Sequence, residues 1–226
     1  MTNVKERFES LGVLYDKNEF GVIIQVDPKP FIYDAKYSAT YDTFSYKKGA
    51  DILNGLRYGF ACAAHRGHIG SILDCGYGNG AFMKFAKQQT KEVFGYDVTG
   101  IPVDGCTIVG TFSTAPVDVI TFWDCLEHFH NIDFLGDIKA ETICISLPYC
   151  HFNNIHHDKG LQEAVKWFDT WKHRKPDEHI RHFNRGSLKR TMQHYGWNEV
   201  AYSHHEDIVR ISPMPMNILS MAFKRG

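Results

Sequence analysis

The chain has 226 residues, of which 43% are hydrophobic, and its formal net charge is −1 at pH 7. This length and apolar content suit one compact domain with a sizeable core, and the near-neutral charge excludes a global basic field that would attract nucleic acid or an anionic membrane. No apolar run reaches the roughly 18 residues of a membrane-spanning helix, and the charged N-terminus lacks a signal-peptide core, so we expect a cytoplasmic protein with no membrane partner.

Residues 1–66 are expected to form an N-terminal cap made of a hairpin and helices. Residues 21–26 have strand character, and the prolines at 28 and 30 end that strand. Residues 47–66 predict a helix with one apolar face. That face comprises Ile52, Leu53, Leu56 and Phe60. An aromatic stripe at helical spacing precedes it, and such a stripe is more often core than site. The stripe comprises Tyr33, Tyr37, Tyr41 and Phe44.

A glycine-rich turn follows the first strand of the predicted core, which extends over residues 67–226. The apolar run 69–74 ends in Asp74, and glycines stand at 76, 78 and 80 before a helix predicted at 80–90. Glycines at this spacing let a strand turn sharply into a helix and let a ligand touch bare backbone. The pattern alone is weak evidence for a ligand site, because structural loops also contain it.

A second acid stands one strand further along the chain. Residues 92–97 read as a strand that ends in Asp97, and in a βαβ unit such an acid can bond both ribose hydroxyls of an adenosine-type ligand. A solvated turn residue before Gly100 is the alternative interpretation of Asp97. Gly76, Gly78 and Ala81 also satisfy a dinucleotide fingerprint, which leaves an NAD-type ligand open.

Strands and helices then alternate. Strands are predicted near 106–110, 117–123, 141–147, 200–203 and 216–223, with helices at 131–138 and 186–195. This alternation is typical of a parallel sheet that is covered on both faces. Residues 149–180 read as an insertion that contains a helix over 161–171, and either a functional lid or a plain surface excursion fits that segment.

The motifs occur in an order that resembles class I S-adenosylmethionine-dependent methyltransferases. The resemblance covers roughly residues 69–200. Its motifs are DCGYGNG at 74–80, Asp97, DVITFWDCLEH at 118–128, ISLP at 145–148, HFN at 182–184 with Leu188, and GW at 196–197. It implies a Rossmann-like α/β three-layer sandwich with a mostly parallel seven-stranded sheet and a C-terminal antiparallel strand.

The resemblance also implies S-adenosyl-L-methionine as cofactor. The amides of residues 76–80 would approach its methionine part, Asp74 would meet its amino group or order the turn, and Asp97 would hold the ribose. Many family members carry an acid near the adenine, where this chain has Thr111 and Ser113. The expected cofactor contacts are Asp74, Gly76, Tyr77, Gly78, Gly80, Asp97, Val98, Thr111, Phe112, Trp123 and Asp124.

Candidate catalytic residues follow the fourth core strand. Asp124, Glu127 and His128 stand at i, i+3 and i+4, on one face of a helical turn. They could supply a general base, bind Mg²⁺ or Mn²⁺ to lower the pKa of an acceptor hydroxyl, or serve a structural role that orients the loop.

The same cluster resembles the Glu-x-x-Glu-His motif of two methyltransferase groups. One comprises the ubiquinone-biosynthesis O-methyltransferases, and the other the small-RNA 3′-terminal 2′-O-methyltransferases, which add a later histidine. His179 is the best positional match for that histidine and His182 the second. Asp124 departs from the pattern, because it replaces the first glutamate with a shorter side chain.

We therefore expect a methyltransferase that acts on oxygen of a small-molecule or glycan-like acceptor. A metal-assisted RNA 2′-O-methyltransferase is the alternative within the class, although the near-neutral charge does not favour nucleic acid. Outside the class stand an NAD-type oxidoreductase, for which no Tyr-x-x-x-Lys pair is evident, and a non-catalytic cofactor-binding module. The sequence does not identify the acceptor or the oligomeric state.

Overall fold

A computed structural model of the chain describes residues 3–33, 49–112, 116–210 and 216–226. Tyr37, Tyr41, Phe44 and Ser113, which the sequence analysis singled out, lie outside these ranges. Within them, no helix has both the length and the apolar character needed to cross a bilayer.

The described ranges contain eleven strands and six α-helices. The strands are β1 (Val4–Ser10), β2 (Val13–Asn18), β3 (Ile23–Gln25), β4 (Ser71–Cys75), β5 (Glu92–Tyr96), β6 (Thr107–Ile108), β7 (Val119–Trp123), β8 (Thr142–Pro148), β9 (Arg181–His182), β10 (Trp197–Ser203) and β11 (Ile218–Arg225). The helices are α1 (Ala50–His65), α2 (Ala81–Lys87), α3 (Phe152–Lys159), α4 (Leu161–Thr170), α5 (Arg185–His194) and α6 (Asp207–Arg210). Two short 3-10 turns cover Leu126–His128 and Asp133–Gly136.

Seven strands form the central sheet in the order β10-β11-β8-β7-β4-β5-β6. The five strands β8, β7, β4, β5 and β6 are parallel, and β11 lies antiparallel between β8 and β10. Every residue of β7 and β8 is buried, as expected for strands that are covered on both faces. This arrangement confirms the predicted fold class.

Alternate residues of the central strands enter two separate apolar clusters, one on each face of the sheet. Val119 packs with α1 and α2, whereas Ile120 and Phe122 pack with α5. The side chains of α5 in this second cluster are Leu188 and Met192. The sheet is therefore the middle layer of three, and its strand ends are free to form a site.

The N-terminal strands build a second, antiparallel sheet in the order β1-β2-β3-β9. Its apolar face packs against α3 and α4 of the 149–180 insertion, in a cluster that includes Phe8, Phe152 and Phe168. The sequence analysis expected a hairpin among residues 1–66 but located only the strand near β3. Charged residues stand next to one another in β1 (residues 5–7) and in β2 (residues 16 and 17), so neither strand shows the alternation of apolar and polar residues that would predict it.

Three local predictions differ from the structure. The helix predicted at 131–138 is only the 3-10 turn Asp133–Gly136, because Gly136 is a poor helix former and the chain leads directly into the buried Ile138. The insertion contains α3 in addition to the predicted helix. Ile52, which the sequence analysis placed on the apolar face of α1, is exposed. Asn54 and Arg57 of the same helix are buried instead, because their side of the helix borders a cavity.

Candidate active site

A cavity of about 670 Å³ opens at the carboxyl ends of the parallel strands. Open α/β sheets bind their ligands at this edge. The glycine turn, the residues that follow β5 and β7, one side of α1 and the 173–179 loop all contribute to its lining. Its volume lies within the range of roughly 300–1,000 Å³ that is usual for small-molecule sites.

The three glycines of the turn all have left-handed backbone conformations, with φ of 70° at Gly76, 54° at Gly78 and 73° at Gly80. A Cβ atom on Gly76 would lie 2.4 Å from the Cys125 Sγ atom, and one on Gly80 would lie 2.5 Å from a Val103 methyl carbon. No described atom lies within 4 Å of a Cβ built on Gly78. The outer glycines therefore permit close packing, whereas the middle one leaves open space at the cavity wall.

Asp97 lies directly against this turn. Its Oδ2 atom accepts a hydrogen bond of 2.9 Å from the Gly78 amide, and its Oδ1 atom accepts bonds from the Thr99 amide and hydroxyl. Gly78, Asp97, Val98 and Thr99 all line the cavity. The structure thus brings together the turn and the acid that the sequence analysis assigned to one cofactor.

Asp74 is buried at the cavity wall and accepts a 2.6 Å hydrogen bond from the Thr121 hydroxyl. Burial raises the pKa of Asp74 to about 7, although the Thr121 bond and the charge of Arg57 act in the opposite direction. Asp74 therefore changes charge near neutral pH.

Trp123 also lines the cavity, with the Arg57 guanidinium carbon 5.2 Å from its ring centroid.

Thr111 and Phe112 are not among the residues that line the cavity. The Phe112 ring instead packs in an aromatic cluster, with its centroid 4.7 Å from that of Tyr96 and 4.8 Å from that of Phe134. Burying the ring there removes apolar area from water, and this packing takes Phe112 away from the cavity. Gly80 is likewise absent from the lining, while Tyr77 belongs to it.

Glu127, His128 and His179 also line the cavity and meet there. One ligand atom from each lies within 4.8 Å of the others, and the His128 Nε2 atom is 4.0 Å from the Glu127 Oε1 atom. Two of these residues belong to the 3-10 turn after β7, and His179 comes from the loop before β9. The structure therefore joins three of the four residues predicted as metal ligands, and their metal role stays a prediction.

Burial controls the charge of this group. Glu127 is 2% exposed, and neither of its carboxylate oxygens has a hydrogen-bond partner among the residues that the structure describes. Burial, reinforced by the charge of Asp124, raises the pKa of Glu127. Burial lowers the pKa of His128, and it lowers that of His179 to about 2 with help from His128. Neutral imidazole is the form that binds a metal or accepts a proton.

Neighbouring groups orient both histidine rings. The His179 Nδ1 atom lies 2.9 Å from the carbonyl oxygen of His173, to which it must donate, so the His179 Nε2 atom carries a lone pair. The His128 Nδ1 atom is 3.0 Å from the Tyr33 hydroxyl. Outer contacts of this type are the ones that fix the tautomer of metal-binding histidines.

The structure does not place Asp124 in this group. Asp124 follows β7 with a left-handed φ of 51° and points its Oδ2 atom at two guanidinium groups, those of Arg57 and Arg210. Although burial disfavours ionisation, these two cations lower the pKa of Asp124. The Asp124 carboxylate is bonded to the two arginines. It therefore does not join Glu127, His128 and His179, the other three predicted metal ligands.

The sequence analysis missed Arg57, Glu206 and Arg210. Glu206 is fully buried and accepts hydrogen bonds from the Arg57 Nε and Nη2 atoms, both at 3.0 Å, and an ion pair of 2.8 Å joins it to Arg210. The i, i+4 spacing of Glu206 and Arg210 was the one local signal. Arg57 carried no local signal, because its partners Asp124 and Glu206 are 67 and 149 residues away in the chain.

The three-layer fold, with its glycine turn and Asp97 at the strand ends, is the Rossmann-like α/β fold that the sequence predicted. A family model described as a methyltransferase domain matches residues 56–202, and the chain belongs to this family. It is an S-adenosylmethionine-dependent methyltransferase, as the sequence predicted, and its cofactor is S-adenosylmethionine. This assignment decides against the NAD-type oxidoreductase and the non-catalytic module.

Solved structures share the fold at low sequence identity. The 1,6-didemethyltoxoflavin-N1-methyltransferase of Burkholderia thailandensis, solved with 1,6-didemethyltoxoflavin and S-adenosylhomocysteine, is 14% identical with a TM-score of 0.55, over 97% of this chain and 99% of that one. An S-adenosylmethionine-dependent methyltransferase of Clostridium acetobutylicum is 10% identical with a TM-score of 0.55, over 84% and 98%. No curated protein matches the chain.

Proposed function

We propose that the enzyme methylates a hydroxyl oxygen of a small-molecule or glycan-like acceptor, and that a divalent cation held by Glu127, His128 and His179 activates this hydroxyl. The observation that carries the proposal is the buried Glu127 carboxylate, which has no described hydrogen-bond partner and stands beside two neutral imidazoles. A buried carboxylate without a partner is costly, and a bound cation removes that cost.

The residues at the glycine turn fit the cofactor. The open face of Gly78 leaves room for a ligand against bare backbone, and the adjacent Asp97 carboxylate can accept hydrogen bonds from two ribose hydroxyls. The cofactor supplies a methyl group on a positively charged sulfur. The side chains at this end bind and orient it, and such positioning accounts for much of the rate of methyl transfer.

The group formed by Glu127, His128 and His179 fits a cation such as Mn²⁺ or Mg²⁺. One carboxylate and two imidazoles offer oxygen and nitrogen donors, and the mixed set makes Mn²⁺ the first cation to test. When bound, the cation would lower the pKa of the acceptor hydroxyl. As the new oxygen–carbon bond forms and the carbon–sulfur bond breaks, the acidified hydroxyl would lose its proton to water, because His128 would use its lone pair on the cation.

The test is transfer of an isotopically labelled methyl group to a panel of hydroxyl-bearing acceptors. Activity should require Mn²⁺ or Mg²⁺, disappear with a chelator and fall strongly in Glu127→Gln. Glu199→Gln is the matched control, because Glu199 is paired with Arg185 and does not line the cavity. Full activity of chelated enzyme would rule out the cation, and methyl groups found only on nitrogen or carbon would rule out an oxygen acceptor.

RNA is the second candidate acceptor. The combination of Glu127, His128 and His179 resembles the site of small-RNA 2′-O-methyltransferases, and the structure brings these three residues together. The test compares an RNA oligonucleotide with one that lacks only its terminal 2′-hydroxyl. Cation-dependent labelling of the first alone supports RNA, and equal failure of both leaves the small acceptor as the assignment.

A further inference from the structure

We propose that Glu178 is a fourth ligand of the cation, and that the Lys175 ammonium competes with the cation for the Glu178 carboxylate. The other three ligands are Glu127, His128 and His179, which are called the triad below. The inference rests on the cation of the proposed function, and it does not depend on which acceptor the enzyme methylates.

The triad contains a single carboxylate, that of Glu127. A divalent cation would therefore keep a net positive charge among these ligands, and both Mg²⁺ and Mn²⁺ favour oxygen ligands. Asp124, the other carboxylate that the sequence predicted as a ligand, is bonded to two arginines. A second carboxylate from elsewhere in the fold would balance the charge of the cation.

Glu178 lies next to the triad. Its Oε1 atom is 3.8 Å from the His179 Nε2 atom. The His179 Nδ1 atom donates to a carbonyl oxygen, so both atoms of this contact are acceptors, and a cation between them would relieve their repulsion. With metal–ligand bonds of about 2.1 Å, two ligand atoms of one ion lie roughly 3–4 Å apart. The Glu178 oxygen and the His179 nitrogen can therefore bind the same cation.

Hydrogen bonds fix the loop on both sides of Glu178. The Asp177 amide donates to the Gln25 Oε1 atom, and the Gln25 Nε2 atom donates to the Asp177 Oδ1 atom, both at 2.8 Å. On the other side, the Ile180 amide donates to the Glu127 carbonyl oxygen at 3.0 Å. The loop is thus tied both to the N-terminal sheet and to the turn that carries Glu127, so the backbone of Glu178 is held beside the triad.

Lys175 is bonded to the same carboxylate. Its Nζ atom is 2.9 Å from the Glu178 Oε1 atom, the oxygen that faces His179. The Lys175 side chain is 40% exposed and lines the cavity, whereas the Glu178 side chain is 13% exposed. A lysine stem is flexible and its ammonium group is strongly hydrated, so Lys175 can leave Glu178 for the water of the cavity. The lysine is therefore the partner that a cation would displace.

The charge of Lys175 acts on the whole triad. Burial raises the pKa of Glu127 and lowers the pKa of each of the two histidines, and the Lys175 charge lowers all three pKa values. An ammonium group this close to the triad would also repel a divalent cation bound there. The Glu178 carboxylate attracts both positive charges. Removing Glu178 and removing Lys175 should therefore change the affinity for the cation in opposite directions.

Calorimetric titration with Mn²⁺, in the absence of cofactor and acceptor, tests this competition. Glu178→Gln should weaken Mn²⁺ binding at least about tenfold, because the cation loses a charged ligand. Lys175→Gln should instead tighten Mn²⁺ binding about threefold or more, because a repelling charge is removed and the carboxylate is released. An ion pair that only stabilised the loop would not give opposite effects from its two members.

Glu6→Gln and Lys17→Gln are the matched controls. The Lys17 Nζ atom is 3.2 Å from the Glu6 Oε2 atom and 3.0 Å from the His156 Nδ1 atom, so this lysine–glutamate pair also lies beside a histidine. The pair belongs to the N-terminal sheet and does not line the cavity. Both control variants should keep the wild-type affinity for Mn²⁺. If Glu178→Gln does not fold, Lys175→Gln decides, because its side chain is partly exposed.

Unchanged Mn²⁺ affinity in Glu178→Gln would overturn the proposal, and so would a change of the same sign in Glu178→Gln and Lys175→Gln. Either result, with Mn²⁺ bound by the wild type, would reject Glu178 as a ligand and leave the cation of the proposed function in place. Wild-type protein that binds no Mn²⁺ would instead overturn both the fourth ligand and that cation. The failure of this inference is therefore distinguishable from the failure of the proposed function.

Discussion

Gly78→Ala distinguishes two reasons for a glycine at this position, which are the left-handed backbone and the open space that a ligand could occupy. Gly78 has a φ of 54°, and no described atom lies within 4 Å of an added Cβ, so the new methyl group should clash with nothing in the free protein. The left-handed backbone costs alanine about 1–2 kcal/mol relative to glycine. For a chain of this size, the melting temperature should fall by roughly 2–8 °C.

Cofactor binding should fall much further. The added methyl group would occupy the cavity wall that we assign to the ligand, so S-adenosylhomocysteine should bind at least about tenfold more weakly, equivalent to about 1.4 kcal/mol or more. Calorimetric titration measures the affinity, and a thermal melt of the same preparation measures the stability.

Gly12→Ala provides the matched control. Gly12 also has a left-handed φ, 77°, with no described atom within 4 Å of an added Cβ, but it lies in the β1–β2 turn. Its variant should lose similar stability and keep full affinity. Wild-type affinity in Gly78→Ala, with the expected loss of stability, would refute the placement of the cofactor on this turn.

Three further predictions concern titration, cation binding and the ribose contact. Burial raises the pKa of Asp74 to about 7 in the folded protein, so this group contributes stability below about pH 4 that is lost as the pH rises through 7. The stability of Asp74→Asn relative to wild type should therefore increase between pH 5 and 8, as measured by urea melts. A stability difference that stays constant over this pH range would contradict the prediction. Mn²⁺ at about 100 times its dissociation constant should add about 2.7 kcal/mol, raising the melting temperature by roughly 5–10 °C in wild type but not in Glu127→Gln. Asp97→Asn should weaken S-adenosylhomocysteine about tenfold in a titration, and equal affinities would remove Asp97 from the ribose site.

The central sheet and the cofactor edge could be predicted because their signals are local. Apolar runs that end in Asp74 and Asp97, with glycines between them, give strand, turn and strand in one short stretch of chain. The alternation that follows implies parallel pairing. The turn predicted at the three glycines is present in the structure, and the backbone is left-handed at each of them.

The last pairing of the second sheet, β3 with β9, could not be predicted because it is long-range. β3 has three residues and β9 has two, and they pair across most of the chain, with Ile23 opposite His182. Such short strands carry almost no pattern of their own. Their stability comes from the tertiary contacts of the sheet, which no window of sequence contains.

The candidate site shows the same limit. Asp124, Glu127 and His128 are neighbours in sequence, and their spacing predicted a shared face. The structure separates Asp124 from the other two because Arg57 and Arg210 compete for its carboxylate. Neither arginine is near Asp124 in the chain, so only the folded arrangement shows which partner prevails.

A crystal structure with S-adenosylhomocysteine bound tests the central claim most directly. We predict the ribose hydroxyls at the Asp97 carboxylate and the nucleoside against the open face of Gly78. The sulfur should face the part of the cavity that Glu127 and His179 line. A ligand bound outside this cavity, or one whose ribose makes no contact with Asp97, would contradict the account.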